Sequence, residues 1–293
     1  MRLANEKAEI AQLVLNKCAH EVRPAAPWHW HCVVQNGTRL HMAASLQEGF
    51  LHLEYRPEGA RRVALSQQQA LLGNSNLRGG VKLALGAADN RLRLATDMVV
   101  LEEKQLHDRF VWALDGFHDG ERLLRSPASR HARGAAQPAA AGDLPDLLRE
   151  AAWPSTERSP SHLSAELDSD SAPPANIAMT ENGIAFSVEL ARPGTADEAI
   201  RKALAVFLLT ATGALRLVRA YAAELDGTWA CGVQVTLPAV PAVEEIDHAL
   251  AALSIAHRAC AREANVLLNQ AAACCYLAAR DTPTTSDQPE KEN

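Results

Sequence analysis

The spacing of apolar residues changes near residue 28, and this change constrains the fold more than any other feature of the sequence. Apolar and polar side chains alternate over 28–34, as they do in a β-strand with one buried face. Asn36-Gly37 follows, a strong signal for a tight hairpin turn, and alternation resumes over 39–43. A third alternating stretch spans 50–55. Together these segments predict an antiparallel meander.

Helical spacing precedes the meander. Over 5–20 the apolar residues recur every three or four positions with Glu and Lys between them, which predicts an amphipathic helix. Pro24 and Pro27 follow. Because proline stops helices, we expect these residues to end the helix before the first strand begins.

Further segments of both kinds complete the first half. A short helix is predicted at 64–73, a hairpin of two alternating segments at 81–85 and 92–94, and a long amphipathic helix at 102–124. The first half therefore predicts the order α-β-β-β-α-β-β-α.

Composition divides the chain into two domains. Residues 126–161 are rich in Ala, Pro, Ser and Gly, which is typical of a linker, although 143–153 could form a short helix within it. Strand and helix patterns return over 162–280, and we interpret this half as a diverged repeat of residues 1–125. Residues 281–293 predict a disordered tail. The predicted fold class is α+β, with two tandem domains in which an antiparallel sheet packs against helices.

The charge balance favours a protein partner over a nucleic acid. The formal net charge is −6 and the pI is near 6.0, whereas neutralising a phosphate backbone needs an excess of Lys and Arg. Arg61, Arg62, Arg91 and Arg93 are compatible with a solvated face or with contact to an acidic partner. Every apolar stretch is interrupted before the ~20 residues of a membrane span, and the first residues lack the apolar run of a secretory signal. We therefore expect a cytoplasmic protein that binds neither nucleic acid nor membrane.

Six cysteines are present, and they predict buried thiols in a reducing compartment. They are Cys18, Cys32, Cys231, Cys260, Cys274 and Cys275. No CxxC pair occurs, so neither a zinc site nor a redox motif is indicated.

Motifs for catalysis and nucleotide binding are missing from the sequence. There is no GxSxG, no GxGxxG and no GxxxxGK[ST]. We therefore expect no enzyme activity, no catalytic residues and no cofactor. Acidic residues cluster at the starts of predicted helices, where they complement the helix dipole. These residues are Glu102, Glu103, Glu244, Glu245 and Asp247.

Three histidines leave one alternative open. His29 and His31 are two positions apart on a predicted strand and face the same way, and His41 lies on the next strand. Such imidazoles could hold zinc or copper in a metal-dependent enzyme. The competing interpretation is a polar sheet face, and on that basis we predict no metal site.

Three segments of the first half resemble a known family. They are Leu71-Leu72-Gly73-Asn74-Ser75-Asn76, Gly79-Gly80-Val81-Lys82-Leu83-Ala84-Leu85 and Asn90-Arg91-Leu92-Arg93-Leu94. Followed by a helix that begins with acidic residues, they resemble class I type III secretion chaperones of the CesT-like kind, and the related YbjN-type sensory proteins. The resemblance is best over 66–125. It implies two tandem chaperone-like domains, and since such chaperones are usually homodimers of single domains, either an intramolecular pseudodimer or a homodimer.

The resemblance also implies a function. Such chaperones bind an extended segment of a secreted effector without ATP, on apolar patches and exposed strand edges. We therefore expect a non-enzymatic chaperone-like or adaptor protein whose partner is a polypeptide. The first meander and the helix at 102–124 are the candidate surfaces. A YbjN-like sensory or regulatory protein is the alternative.

Overall fold

Two antiparallel sheets of six strands each form the framework of the protein in the computed structural model. The structure describes residues 2–36, 38–57, 71–73, 77–87, 91–125, 144–159, 162–168, 172–193, 197–225 and 228–281. The elements of the first half are α1 (Arg2–Cys18), β1 (Glu21–Ala26), β2 (His29–Asn36), β3 (Thr38–Gln47), β4 (Phe50–Tyr55), β5 (Lys82–Leu85), β6 (Leu92–Val99) and α2 (Glu103–Arg125). Those of the second half are α3 (Leu144–Glu150), β7 (Ser155–Ser159), β8 (His162–Ala165), β9 (Ala175–Thr180), β10 (Gly183–Ala191), α4 (Glu198–Ala214), β11 (Arg219–Leu225), β12 (Thr228–Leu237), α5 (Val243–Val266) and α6 (Gln270–Asp281). Within these described residues, no helix combines the length and the apolar character needed to cross a membrane.

Both sheets have the same strand order. The first is β1-β2-β3-β4-β6-β5 and the second is β7-β8-β9-β10-β12-β11. Helical residues lie between the fourth and fifth strands of each half, at 71–73 and in α4, and a long helix follows the sixth strand. The second half is therefore a structural repeat of the first. The predicted fold class, α+β with two tandem halves, is confirmed.

Strand register confirms the predicted meander. β2 and β3 pair from Asn36↔Thr38 to His29↔Ser45, so the chain reverses between Asn36 and Thr38, at the predicted hairpin. β3 pairs with β4, and β5 pairs with β6, in the same antiparallel sense. Alternation of burial follows the register, because one face of this sheet packs against the core.

One strand of the first sheet differs from the expectation. β1 lies where Pro24 is expected only to end the preceding helix, and it pairs with β2 from Glu21↔Val33 to Ala26↔His29. Proline lacks a backbone donor and is therefore confined to edge strands. Pro24 is compatible with a strand here because β1 is the terminal strand of its sheet.

Part of the predicted linker is folded. The short helix expected within 143–153 is present as α3, but β7 also lies inside the segment 126–161 and pairs with β8. Its sequence, Ser-Thr-Glu-Arg-Ser, lacks the apolar alternation of an interior strand because β7 is the terminal strand of the second sheet. Residues 126–143 lie outside the described part of the chain, as do 282–293 and most of the helix predicted at 64–73.

The hydrophobic core is shared between the halves. One apolar cluster lies between α1, α2 and the inner face of the first sheet, and it continues into α4 and α6. α4 contributes Ile200, Leu204 and Leu208 to this cluster. A second cluster lies between the second sheet, α3 and α5. Because α4 packs on β5, the two halves form one packed unit.

The cysteines only partly match the expectation of buried thiols. All six are free, and three are buried, namely Cys32, Cys231 and Cys260. Cys274 and Cys275 are exposed on α6. Ala273 is the core-facing residue of that helical turn, so the next two positions turn toward solvent.

Candidate functional site

The outer edge of β7 offers backbone groups to a further strand. The carbonyl of Pro154 accepts the backbone N–H of Glu166 at 2.9 Å, so Pro154 bonds directly toward β8. In an antiparallel ladder, such residues alternate with residues whose N–H and C=O point away. The backbone groups of Ser155 and Glu157 therefore point away from β8, and no strand among the described residues pairs with them.

The side chains of β7 leave the core open at this edge. Ser155 and Glu157 lie opposite Ala165 and Leu163 of β8, which are core residues. Residues directly opposite each other share a face of the sheet, so Ser155 and Glu157 are on the core side. Both are nevertheless exposed. A further strand would place its own side chains over this gap.

A groove of about 310 Å³ lies between α3 and β7, and we call it the β7 groove. It is lined by Pro145, Arg149, Trp153, Pro154, Ser155, Glu157 and Leu163. Its volume is at the lower end of the range of about 300–1,000 Å³ that is typical of ligand pockets. Two prolines, a tryptophan and a leucine among the lining residues suit an apolar side chain.

The turn after α3 fixes the position of Trp153. The backbone N–H of Ala152 bonds to the Arg149 carbonyl and that of Trp153 to the Leu148 carbonyl, both at 3.0 Å. This pair of bonds is the Schellman motif that ends many helices. The indole N–H of Trp153 donates to the Asp247 carboxylate at 3.0 Å. Both the backbone and the ring of Trp153 are thus held in place.

Ala152 has a backbone conformation that favours glycine, with a φ of 60°. This left-handed conformation costs an L-residue about 1–2 kcal/mol. Glycine would relieve that cost, but the larger conformational entropy of glycine in the unfolded chain offsets part of the stabilisation. We expect Ala152→Gly to raise the free energy of unfolding by about 0.5–1 kcal/mol in urea denaturation. The control is Ala151→Gly, since Ala151 does not have a positive φ. An equal gain from the control would contradict the explanation.

The outer edge of β1 is less open to a further strand. Pro24 has no backbone N–H to donate. A proline within an edge strand hinders strand addition, and β7 contains none. Of the edges of β1 and β7, that of β7 is therefore the better candidate.

Of the two surfaces expected to bind a polypeptide, the predicted helix at 102–124 is largely committed to the core. Its counterpart α2 buries Leu106, Phe110 and Phe117 completely. The meander buries one face and exposes the other. The outward face of the meander and the solvent face of α2, where Val111 is 48% exposed, therefore remain available to a partner.

A buried ionic cluster lies where the two halves meet. Asp97 accepts hydrogen bonds from His52 Nδ1 at 2.8 Å, from Lys82 Nζ at 3.0 Å and from the backbone N–H of Leu217 at 2.9 Å. The side chains of Asp97 and Lys82 are each only 3% exposed. We call His52, Lys82 and Asp97 the junction cluster.

The junction cluster is ionised. Burial alone would raise the pKa of Asp97, but the Lys82 ammonium and His52 hold that pKa well below its usual range. Burial would lower the pKa of His52, whereas its contacts with Asp97 and Glu54 raise this pKa to about 9. The contact with His52 is the main reason why the pKa of Glu54 falls to about 2. At neutral pH, His52 is therefore an imidazolium between two carboxylates.

Cations of the first half cap a helix of the second half. Lys82 Nζ donates to the Leu215 carbonyl at 2.5 Å, and Arg93 donates to the Gly213 carbonyl at 3.4 Å. Both carbonyls lie at the C-terminal end of α4, which attracts positive charge. The last turn of α4, a helix described in full, contains no basic residue of its own. Side chains from the sheet of the first half thus donate hydrogen bonds to the free carbonyls at the end of α4 in the second half.

The second half makes a similar contact in return. Arg219 begins β11 as Lys82 begins β5, and its guanidinium donates to the Leu77 carbonyl at 2.7 Å. Arg219 is 2% exposed. Gly80 and Leu217, each two residues before one of these cations, both have a left-handed backbone, with φ values of 65° and 60° respectively. The contacts across the junction are therefore reciprocal, as they would be in a pseudodimer.

A second ion pair joins helices of the two halves. Arg109 of α2 binds both carboxylate oxygens of Glu245 of α5, at 2.7 and 2.8 Å. Arg109 also donates to the Val240 carbonyl at 3.0 Å. Glu245 in turn accepts the backbone N–H of Ala242 at 2.8 Å, which stabilises the start of α5. Glu245 therefore stabilises the start of α5 and also joins α5 to α2 of the other half.

The other acidic residues predicted at helix starts lie in or near the first turns of α2 and α5. Glu103 and Glu244 lie in the first turns of α2 and α5, as expected. Glu102 directly precedes α2, and Asp247 lies further along α5, where it binds the indole described above. Asp247 is thus not in the first turn of its helix, contrary to the expectation.

A cleft of about 160 Å³ adjoins the junction cluster. The Arg216 guanidinium lies over the Phe50 ring there, 5.4 Å from its centroid, and binds Glu48 at 2.8 Å. The polar groups around this cleft are thus engaged with one another. This arrangement favours a structural role for the junction cluster.

The three candidate metal ligands lie on the outward face of the first sheet. His29, His31 and His41 are all exposed, and the ring of His29 contacts the Pro27 carbonyl at 2.8 Å. Among the described residues, no group of three or more His, Cys, Asp or Glu side chains could hold a metal ion. The alternative of a metal-dependent enzyme therefore has no supporting geometry in that part of the chain.

Sequence reasoning misses both the β7 groove and the junction cluster. Residues 153–157 fall in a segment whose composition is that of a linker, so nothing local distinguishes Trp153 from its surroundings. One signal does mark the junction. The pairs Val81-Lys82 and Val218-Arg219 place a cation at the same point of an apolar segment in each half.

The resemblance to type III secretion chaperones rests on the sequence patterns alone. No protein-family model matches the chain, and no curated protein or solved structure matches it either.

Proposed function

We propose that this protein is a non-enzymatic, chaperone-like binder of an extended polypeptide segment, and that the segment binds as a further strand beside β7. The observation that carries the proposal is the open edge of β7, where outward backbone groups lie beside the β7 groove. A segment of a secreted effector is the partner that the sequence resemblance favours.

Backbone hydrogen bonds supply affinity in this arrangement. Ser155 and Glu157 each present an N–H and a C=O on the open side, and a typical hydrogen bond contributes about 0.5–1.5 kcal/mol net. Strand addition to a sheet edge is a recurring way of binding extended peptides. The partner segment has to be extended, because a helix has already used its own backbone groups.

The β7 groove supplies selectivity. Side chains of an added strand point alternately to the two faces of the sheet. Every second side chain therefore enters the groove, beside Trp153 and Leu163. Polar residues suit the positions between them, which face outward. The preferred segment alternates large apolar residues with polar ones.

Substitution of Ser155 tests the proposal. Proline at this position removes only the outward N–H, so the bonds between β7 and β8 remain, whereas Ser155→Ala keeps the N–H. The probe is a fluorescent peptide of alternating leucine and threonine, followed by fluorescence anisotropy. We expect Ser155→Pro to weaken binding about fivefold to tenfold, the equivalent of one backbone hydrogen bond. Ser155→Ala should bind like the unaltered protein.

A second variant tests the groove. Trp153→Ala should weaken binding of the leucine peptide and leave binding of a serine-threonine peptide unchanged, because only leucine side chains gain from the indole. If the two Ser155 variants bind the leucine peptide equally well, strand addition at β7 is ruled out.

A further inference from the structure

The outward face of the first sheet is a second exposed surface, apart from β7. Residues directly opposite each other share a face. The pairings Arg23↔His31 and Val33↔His41 therefore place Arg23, His31 and His41 on the face that does not pack against the core. All three are exposed.

Two more residues complete this surface. His29 is two residues from His31 on β2, and Arg39 is two residues from His41 on β3, so both share the outward face. Both are exposed. We call Arg23, His29, His31, Arg39 and His41 the His–Arg face.

The His–Arg face carries two arginines, one of them paired with Glu21, on a chain whose net charge is −6. Each carboxylate at a described outward position of the first sheet is bound to a cation: Glu21 to Arg23, Glu54 to Arg93 and Asp97 to Lys82. Arg39 adds one positive charge to this balanced set. The surface therefore carries a small positive charge, opposite in sign to that of the whole protein.

Trp28 adds an aromatic group at one end of the His–Arg face. It lies in the turn between β1 and β2, and its side chain is 44% exposed. Its φ of 61° is unusual for a bulky residue, and its carbonyl accepts the Leu46 N–H at 2.9 Å. Exposed tryptophans with a fixed backbone are well suited to anchor a partner.

We propose that the His–Arg face, together with Trp28, binds an acidic polypeptide segment. Charge complementarity is the main argument, since one carboxylate of the segment would pair with Arg39 and others would accept hydrogen bonds from imidazole N–H groups. A single-stranded nucleic acid fits less well, because such ligands stack on several aromatic side chains. Trp28 is the single aromatic residue that the described part of the chain leaves strongly exposed. This proposal does not depend on strand addition at β7.

A charge reversal at Arg39 tests the proposal. The probe is a fluorescent oligoglutamate peptide, titrated at low and at physiological ionic strength. Binding should weaken as salt screens the exposed charges. We expect Arg39→Glu to lower the affinity about fivefold, because it replaces one exposed attraction by a repulsion. Arg39→Lys should bind nearly as well as the unaltered protein.

The matched control is Arg258→Glu, which makes the same charge change at an exposed position of α5. An equal loss in both reversals would show a general charge effect and overturn the proposal. Tighter binding of oligothymidylate than of oligoglutamate would overturn it in favour of a nucleic acid, and so would an absence of oligoglutamate binding. Ser155→Pro should leave oligoglutamate binding unchanged, so failure at this face and failure at β7 are separate results.

Discussion

Asp97→Ala is expected to lower the free energy of unfolding by about 3–5 kcal/mol, the usual consequence of removing one partner from a buried ion pair. Lys82, 3% exposed, would keep its charge but lose its carboxylate. Its remaining bond is to the carbonyl of Leu215. Urea denaturation at pH 7, followed by circular dichroism, measures the effect.

The loss extends across the junction because Asp97 bonds to both halves. Lys82 and His52 belong to the first half, and the backbone N–H of Leu217 belongs to the second. Without the carboxylate, all three donors are left without this acceptor. We therefore expect the junction to weaken together with the overall stability.

The double variant Lys82→Met/Asp97→Leu is the control. Replacing both members of a buried ion pair by apolar residues is often nearly neutral, because no unpaired charge remains. We expect this variant to be more stable than Asp97→Ala. If Asp97→Ala itself differs from the unaltered protein by less than about 0.5 kcal/mol, as a surface substitution does, the cluster is not a buried ion pair in solution.

The interior of each sheet could be predicted because its pattern is local. A strand with one buried face alternates apolar and polar residues, as over 28–34, and this alternation depends on burial alone. A turn such as Asn36-Gly37 has its own backbone preference. The meander, the second hairpin and α2 therefore follow from short stretches of sequence.

The outer edges could not be predicted because they lack that alternation. β1 contains Pro24, and a proline normally counts against a strand unless the strand is known to be terminal. β7 has a serine and a glutamate on its core side because no further strand covers them. The β7 groove thus escapes prediction for the same reason that makes it a candidate binding site.

The junction depends on contacts between residues far apart in the chain. Lys82 and the Leu215 carbonyl are separated by 133 positions, and Arg219 and the Leu77 carbonyl by 142. Nothing near Lys82 in the sequence indicates that its ammonium is buried. A repeat that packs on itself can be recognised only when the two halves are compared.

Raising the pH from 6.5 to about 9 is expected to remove roughly 2–3 kcal/mol of stability through His52. The pKa of this residue is about 9 in the folded protein, against an ordinary value of 6.5. A group whose pKa is raised by folding stabilises the protein fully below its unfolded pKa, and the contribution is lost as the pH rises through the folded pKa. Each pKa unit corresponds to about 1.36 kcal/mol, reduced here because the imidazole is partly exposed.

His52→Gln is the control, since glutamine has no charge to lose at any pH. The carboxylates of the cluster do not contribute to the slope, because folding lowers the pKa of both Asp97 and Glu54 and their contribution is lost only in acid. We expect urea denaturation of the unaltered protein to show falling stability between pH 6.5 and 9. The variant should show lower stability and only a small fall close to pH 9, because burial raises the pKa of the Cys32, Cys231 and Cys260 thiols. If the variant kept the full fall in stability between pH 6.5 and 9, a group other than His52 would be titrating. The ion pairs of the His52 imidazolium with Asp97 and Glu54 would then not be the source of the pH dependence.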